Sequence, residues 1–218
     1  MQPTRRDFLR HSIVAAVATQ AGAAQAPKVI ARAGSDLLSR MSWLNPPAIE
    51  HYSEGTLDAR SRGKTDFWRK TYYGYINDNG HFLNLPVTGE FKFTARIEGN
   101  YSALYDQAGL MVRLDEKHWM KCGTELVDRK RWASVVFTHD YSDWSTMEDL
   151  TQVGPMYWRV VRTKDSIEAQ CSKDGDQFLT VRQGYFPAGL EVKVGVMCAA
   201  PEGPGFDCVF DQLSLESV

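Results

Sequence analysis

Phe91, Phe93, Ala95 and Ile97 alternate with Lys92, Thr94, Arg96 and Glu98. A strict period of two is the signature of a strand with one face in a core and the other wet, because successive side chains of an extended chain point to opposite sides. Ala108, Leu110, Val112 and Leu114 repeat the pattern against Gly109, Met111, Arg113 and Asp115. Further strands are legible at "RWASVVFTH", "YWRVVRT", "SIEAQCS", "LEVKVGVMC" and "FDCVFDQLSLE". Asp78-Asn79-Gly80, Asp174-Gly175 and "PEGPGF" separate them as turn signals. A helical period nowhere persists through a window of about 11 residues. The one credible helix start is Ser145-x-x-Glu148, a capping box on a turn or two. Many short strands at this spacing predict an all-β, antiparallel β-sandwich of the jelly-roll kind with very little helix. At 218 residues and 43% hydrophobic composition the chain can fill one core and hardly two, so a single domain from about 41 to 218 is expected.

Charge excludes one class of partner. The net charge is −2, the pI is near 6.2, and the basic residues form no stripe that could track phosphates, so no nucleic-acid partner is expected. The N-terminus carries a pattern of its own. Thr4-Arg5-Arg6-Asp7-Phe8-Leu9-Arg10 matches the twin-arginine export signal, and an apolar run from Ile13 to Ala24 follows that is too short to span a bilayer. Residues 1–33 are therefore expected to be a signal peptide cleaved near 23 or 33, giving a periplasmic or secreted protein with no membrane span in its mature chain. Cys122, Cys171, Cys198 and Cys208 form no C-x-x-C pair, and no histidine stands at zinc-site spacing. Each falls in an apolar run, where a buried thiol is the expectation; a Cys198–Cys208 bridge across a terminal hairpin is the alternative.

Six segments together resemble one family: "WLNPP", "TDFWRKTYYGYINDNGHFL", "YDQAGLMVRLD", "YSDWS", "YWRVVR" and "CSKDGDQF". The resemblance is to the domain family named after a proposed regulator of enolase (domain of unknown function 1349), within the concanavalin A-like lectin/glucanase superfamily. It covers nearly all of the chain beyond the signal and implies a concanavalin A-like two-sheet sandwich with a concave face; it implies no particular activity. The enolase connection, which rests on fungal intracellular relatives, is not carried over to a chain read as exported. Glucanases of that superfamily carry E-x-D-x-E or E-x-D-x-x-E on one strand, and this sequence has neither string.

The stretch "YDQAGLMVRLDEKHWMKCGTE" carries most of the candidate chemistry. With Ala108, Leu110, Val112, Leu114, Met120, Cys122 and Leu126 as core, a tight turn at Glu116-Lys117-His118 sets Leu114 opposite Met120. That register puts Arg113 opposite Lys121 and Gly109 opposite Glu125 on the other face. Two like charges across an antiparallel pair need a compensating group, and a glycine opposite a carboxylate leaves it room to reach a ligand. Gln107 and Trp119 share the face by parity. Planar hydrogen-bonding groups beside an aromatic suit a sugar, whose hydroxyls take bidentate partners and whose C–H faces stack on rings. A solvated sheet face with incidental ion pairs explains the same residues.

Other candidates lie outside that hairpin. Asp143 and Trp144 of "YSDWS" are read as a loop between strands. Trp68, Tyr72, Tyr73 and Tyr75 of "WRKTYYGY" offer a sugar groove, although alternation places half of them in the core. His81 follows Gly80 at a strand start, where a lone histidine is commonly structural; His51, His118 and His139 share no ligand spacing. There is no G-x-S-x-G elbow. A glycosidase would need two carboxylates about 5 to 10 Å apart; Glu125 is one, with Asp143 or Asp106 as the other. The loops "NDNG" and "KDGD" offer oxygens but no EF-hand, so no cofactor or metal is expected.

The function expected is non-catalytic binding of an oligo- or polysaccharide. Gln107, Arg113, Lys121 and Glu125 supply hydrogen bonds; Trp68, Trp119 and Trp144 supply stacking, with Asp143 and His81 as flanking candidates. The alternatives are a glycoside hydrolase using Glu125 and a protein-interaction module with no small ligand.

Overall fold

The computed structural model describes residues 34–148 and 151–218; the expected signal peptide, residues 1–33, lies outside them. A four-residue helix, α1 (Ser35–Leu38), precedes β1 (Ser42–Leu44), β2 (Ile49–Ser53), β3 (Thr56–Arg60), β4 (Phe67–Arg69), β5 (Ile76–Asp78), β6 (His81–Val87), β7 (Phe91–Gly99) and β8 (Gln107–Arg113). The chain continues as β9 (His118–Val127), β10 (Lys130–His139), β11 (Tyr141–Glu148), β12 (Met156–Thr163), β13 (Ser166–Ser172), β14 (Leu179–Tyr185), β15 (Val192–Ala199) and β16 (Asp207–Ser217). Two seven-stranded antiparallel sheets result, in the orders β1-β6-β15-β8-β9-β10-β11 and β14-β13-β12-β7-β16-β3-β2, with β4 and β5 as a separate hairpin. This is the all-β antiparallel sandwich that the alternating runs predict.

The core lies between the sheets. Phe91, Phe93, Ala95 and Ile97 of β7 meet Ala108, Leu110 and Val112 of β8 and Met120 and Cys122 of β9 in one buried cluster, so the period-two runs face as read. Leu114 only packs at its margin and Leu126 is half-buried, because both lie near strand ends. All four cysteines are buried free thiols. The alternative Cys198–Cys208 bridge is not formed; the two thiols are hydrogen-bonded instead.

The sheet containing β8 is covered on its outer face as well. Phe67 and Trp68 of β4 lie on Phe82, Met111, Trp119, Val136 and Met197, a second apolar cluster. Every residue of β8 is consequently buried, including the set that alternation assigns to water. Three groups tie the covering segment down. Arg113 donates from both terminal nitrogens to Asp78, at 2.6 and 2.7 Å. The backbone N–H of Arg69 donates to Ser142 Oγ at 2.9 Å. His81 Nε2 accepts the N–H of Arg62 at 2.9 Å, which leaves Nδ1 to carry the proton and donate to Asn45 O at 2.8 Å.

Two local expectations are corrected. The β8–β9 register is shifted by two residues from the one that a turn at Glu116-Lys117-His118 implies: Val112 faces Met120, Arg113 faces Trp119, Gly109 faces Gly123 and Gln107 faces Glu125. The Asp115 carboxylate accepts the N–H groups of Lys117 and His118 at 2.7 and 2.8 Å, a side-chain turn that fixes the connection one residue earlier in the chain. Lys121 therefore stands opposite Met111, and the like-charge pair never arises. An even slip keeps every side chain on its assigned face. Ser145-x-x-Glu148 starts no helix, and Asp143 and Trp144 are not in a loop. Residues 141–148 are strand β11, with Asp143 opposite Phe137, Trp144 opposite Val136 and Ser145 opposite Val135. Pairing along all of β10 outweighs a one-turn capping signal.

Candidate functional site

The covering segment leaves part of the outer face open. There, β8, β9 and β11 bring Gln107, Lys121, Glu125 and Trp144 together around a narrow pocket of about 30 Å³, room for one small polar group and not for a whole sugar ring. The segment supplies Asp66, Trp68, Tyr73 and Tyr75, and Tyr105 enters just ahead of β8. A wider cleft of about 650 Å³ continues outward past Trp68, Tyr73 and Trp144 to Tyr72, Tyr141 and Asp143.

The polar floor is connected. Asp66 Oδ1 accepts the Phe67 N–H at 2.7 Å, Lys121 Nζ at 3.1 Å and Gln107 Nε2 at 3.4 Å. Lys121 Nζ also donates to the Phe67 carbonyl at 2.8 Å, so both its bonds hold the covering segment at the pocket's edge. Glu125 Oε2 accepts the Trp144 indole N–H at 3.1 Å, and that N–H also reaches Ser134 Oγ at 2.9 Å. Burial pushes the Glu125 carboxyl above its ordinary range, and the nearby Asp66 charge adds to this; Lys121 and the Ser134 and Trp144 hydrogen bonds pull the other way.

The walls are aromatic and set at angles to one another. Tyr73 and Tyr75 stack at 5.3 Å, Trp68 meets Tyr73 edge-on at 5.8 Å, and Tyr105 meets Trp144 edge-on at 6.4 Å. The hydroxyls of Tyr73 and Tyr105 are 3.2 Å apart; that bond, with burial, raises the Tyr105 phenol. Lys64, Lys70, Tyr72 and Tyr105 all hold positive φ, between 59° and 65°. Such conformations cost free energy and cluster at functional sites. Behind the pocket, Gly109 and Gly123 face each other so closely that a Cβ on Gly109 would lie 1.9 Å from the Cys122 carbonyl oxygen. That bare row leaves a void of about 10 Å³ beside Gln107, Lys121 and Ser134.

Of the sequence-nominated residues, Gln107, Lys121, Glu125, Trp68 and Trp144 converge on this pocket. Four do not. Arg113 is consumed by Asp78 and lies over the Phe67 ring at 5.9 Å. Trp119 is buried edge-on to Phe67 at 6.2 Å, its indole N–H on Glu116 O. His81 is a buried strut, its pKa lowered by desolvation. Asp143 is exposed on the outer cleft and paired with Arg182 at 2.9 Å. Asp106, the other proposed partner of Glu125, accepts the N–H groups of Ser102 and Ala103 at 2.9 and 2.8 Å. Asp66, Tyr105 and Ser134 were missed. Asp66 and Tyr105 stand at the heads of "DFWRKTYYGY" and "YDQAGLMVRLD", and a carboxylate or phenol opening an aromatic or alternating run was the available signal. Among the described residues no group of three or more His, Cys, Asp or Glu is arranged to hold a metal, and no helix is long and apolar enough to cross a membrane.

The fold is shared with known proteins. The curated protein "Regulation of enolase protein 1" of Saccharomyces cerevisiae is 38% identical over 178 residues, 82% of this chain and 90% of its own length. A crystal structure of a functionally unknown protein from Saccharomyces cerevisiae superposes with a TM-score of 0.80 at 38% identity, covering 83% of this chain and 98% of that one. The carbohydrate-binding module CBM66 of Bacillus subtilis shares the fold at a TM-score of 0.53 and 10% identity, over 80% and 95% of the two chains. The yeast relative overturns the expectation of a periplasmic or twin-arginine-secreted protein: it belongs to a eukaryote, and its match points away from that compartment. The export reading rested on a short Arg-Arg pattern in residues outside the described structure, whereas the match runs through the sandwich. Residues 43–218 match the family "Protein of unknown function (DUF1349)", and the chain belongs to it.

Proposed function

We propose that the protein is a non-catalytic carbohydrate-binding β-sandwich whose sugar site is the outer cleft beside Trp68, Tyr73 and Trp144 together with the narrow pocket that opens from it between β8, β9, β11 and the segment 63–80. The observation that carries this is the pairing of five aromatic rings as walls with Asp66, Gln107, Lys121 and Glu125 as a floor. Rings receive the C–H faces of a pyranose while fixed carboxylates, amide and ammonium bond its hydroxyls, and a mostly apolar pocket with a few convergent polar groups is the usual form of such sites. Similarity of fold to a carbohydrate-binding module supports the reading. The outer cleft, walled by Tyr72, Tyr141 and Trp144, gives the rings of an oligosaccharide room to lie. Titration calorimetry against a panel of neutral, amino and acidic oligosaccharides tests it: binding is expected, weakened by Trp144→Ala. A folded protein that binds no member of the panel at millimolar sugar sinks the proposal.

A glycoside hydrolase is the second reading, favoured by Asp66 and Glu125 lining one pocket with burial raising the Glu125 carboxyl, the direction a general acid needs. It requires turnover of an aryl or natural glycoside that Glu125→Gln abolishes while the fold survives.

A further inference from the structure

The pocket's charges do not balance. Asp66 has its cation in Lys121, 3.1 Å away, and Arg113 is committed to Asp78. Glu125, 93% shielded from solvent, receives only neutral donors, the Trp144 indole and the Ser134 hydroxyl, and among the described residues no lysine or arginine forms an ion pair with it. Ionised, Asp66, Lys121 and Glu125 sum to one surplus negative charge inside a pocket where burying an unpaired carboxylate is costly. The walls are suited to answer it. Trp68, Tyr73, Tyr75, Tyr105 and Trp144 present ring faces in several planes, and ring faces attract a desolvated ammonium.

From this geometry, and resting on the carbohydrate reading above, we infer that the pocket is built for the protonated amine of an amino sugar, paired with the Glu125 carboxylate inside the aromatic walls while the sugar ring lies in the outer cleft. A neutral hydroxyl in that place would leave the surplus charge unpaired; an ammonium cancels it and supplies three donors to Glu125 and its neighbours. Lys121 does not repel the amine from the site, because its two bonds hold it on Asp66 and the Phe67 carbonyl.

The test compares three hexasaccharides of the same linkage by calorimetry near pH 6, where a sugar amine is protonated: β1,4-linked glucosamine, its fully N-acetylated counterpart and β1,4-linked glucose. The amine-bearing chain is expected to bind the wild type at least about tenfold more tightly than either neutral chain, and Glu125→Gln to bring that ratio close to one. The ligand comparison needs no variant to fold, and circular dichroism checks the fold of Glu125→Gln. Equal affinity for all three chains overturns the inference and leaves the carbohydrate reading standing. A preference that survives Glu125→Gln also overturns it, since another group then holds the amine. Failure of all three to bind overturns this inference, and the carbohydrate reading falls with it only when the wider oligosaccharide panel also fails to bind.

Discussion

The outer face of the β8–β9 sheet has two halves made of similar residues with opposite fates. Under the hairpin β4–β5, an arginine and a tryptophan (Arg113, Trp119) are sealed beneath Phe67, the arginine bound to the half-buried Asp78 of β5. Close by on β9 and β11, a lysine, a carboxylate and a tryptophan (Lys121, Glu125, Trp144) line an open pocket. Residue type does not separate the halves; what lies above them does. In the covered half Arg113 has a bidentate carboxylate partner and Trp119 a full apolar contact. The open half keeps a carboxylate without a cation and an indole that is 40% exposed. Complete satisfaction marks structure, and incomplete satisfaction marks where a ligand can add something.

The two tryptophans offer the strongest way to break that comparison. Trp119→Ala removes a buried ring and is expected to cost about 4 kcal/mol in urea unfolding. Trp144→Ala should weaken oligosaccharide binding about 30-fold, equivalent to roughly 2 kcal/mol, while lowering stability by about 1 kcal/mol or less. Equal stability losses for the two variants would erase the distinction between the halves. Arg113→Ala comes next: losing two charge-assisted bonds to Asp78 should cost about 1.5 kcal/mol. Arg113→Lys should recover only part of this, because an ammonium cannot match the bidentate fork.

Two smaller effects follow from protonation. The Glu125 carboxyl is raised in the folded state above its ordinary value of 4.5, so the folded protein binds that proton more tightly than the unfolded chain does. Its contribution is fully present below pH 4.5 and is lost as pH rises through the folded pKa. Glu125→Gln is therefore expected to melt higher than the wild type at pH 8, with the difference vanishing at pH 4; a lower melting point at pH 8 would contradict an uncompensated carboxylate. His81, in the covered half, has the opposite sense. Desolvation lowers its pKa below 6.5, so the stability of the neutral ring is present above pH 6.5 and is lost as pH falls through the folded pKa. Thermal melts of the wild type between pH 7 and 5 should show that decline, and His81→Gln should lack it in the same window.

Much of this was legible in the residues. Period-two runs gave the sandwich and its inner face, because an alternating pattern must put its apolar half somewhere dry. Parity put Gln107, Lys121 and Glu125 on one face, and an error of two residues in register left that assignment intact. The same parity argument failed for Arg113 and Trp119, since it says which face a side chain takes and nothing about what covers that face. "YSDWS" looked like a turn because its Asp and Ser have strong local signals; only its pairing with β10 makes Trp144 a pocket wall.

The sequence by itself determined the local periodicities, and hence the all-β sandwich and its inner core, because these depend on spacings of one or two residues. Only the tertiary structure decided which part of the outer face became a site. The segment 63–80 folds back across β8 and β9, brings Asp66 to Lys121 across 55 positions of chain, and stops short of Glu125. No local pattern encodes where that segment ends, and the edge of its cover is what leaves one carboxylate facing an aromatic pocket without a cation of its own.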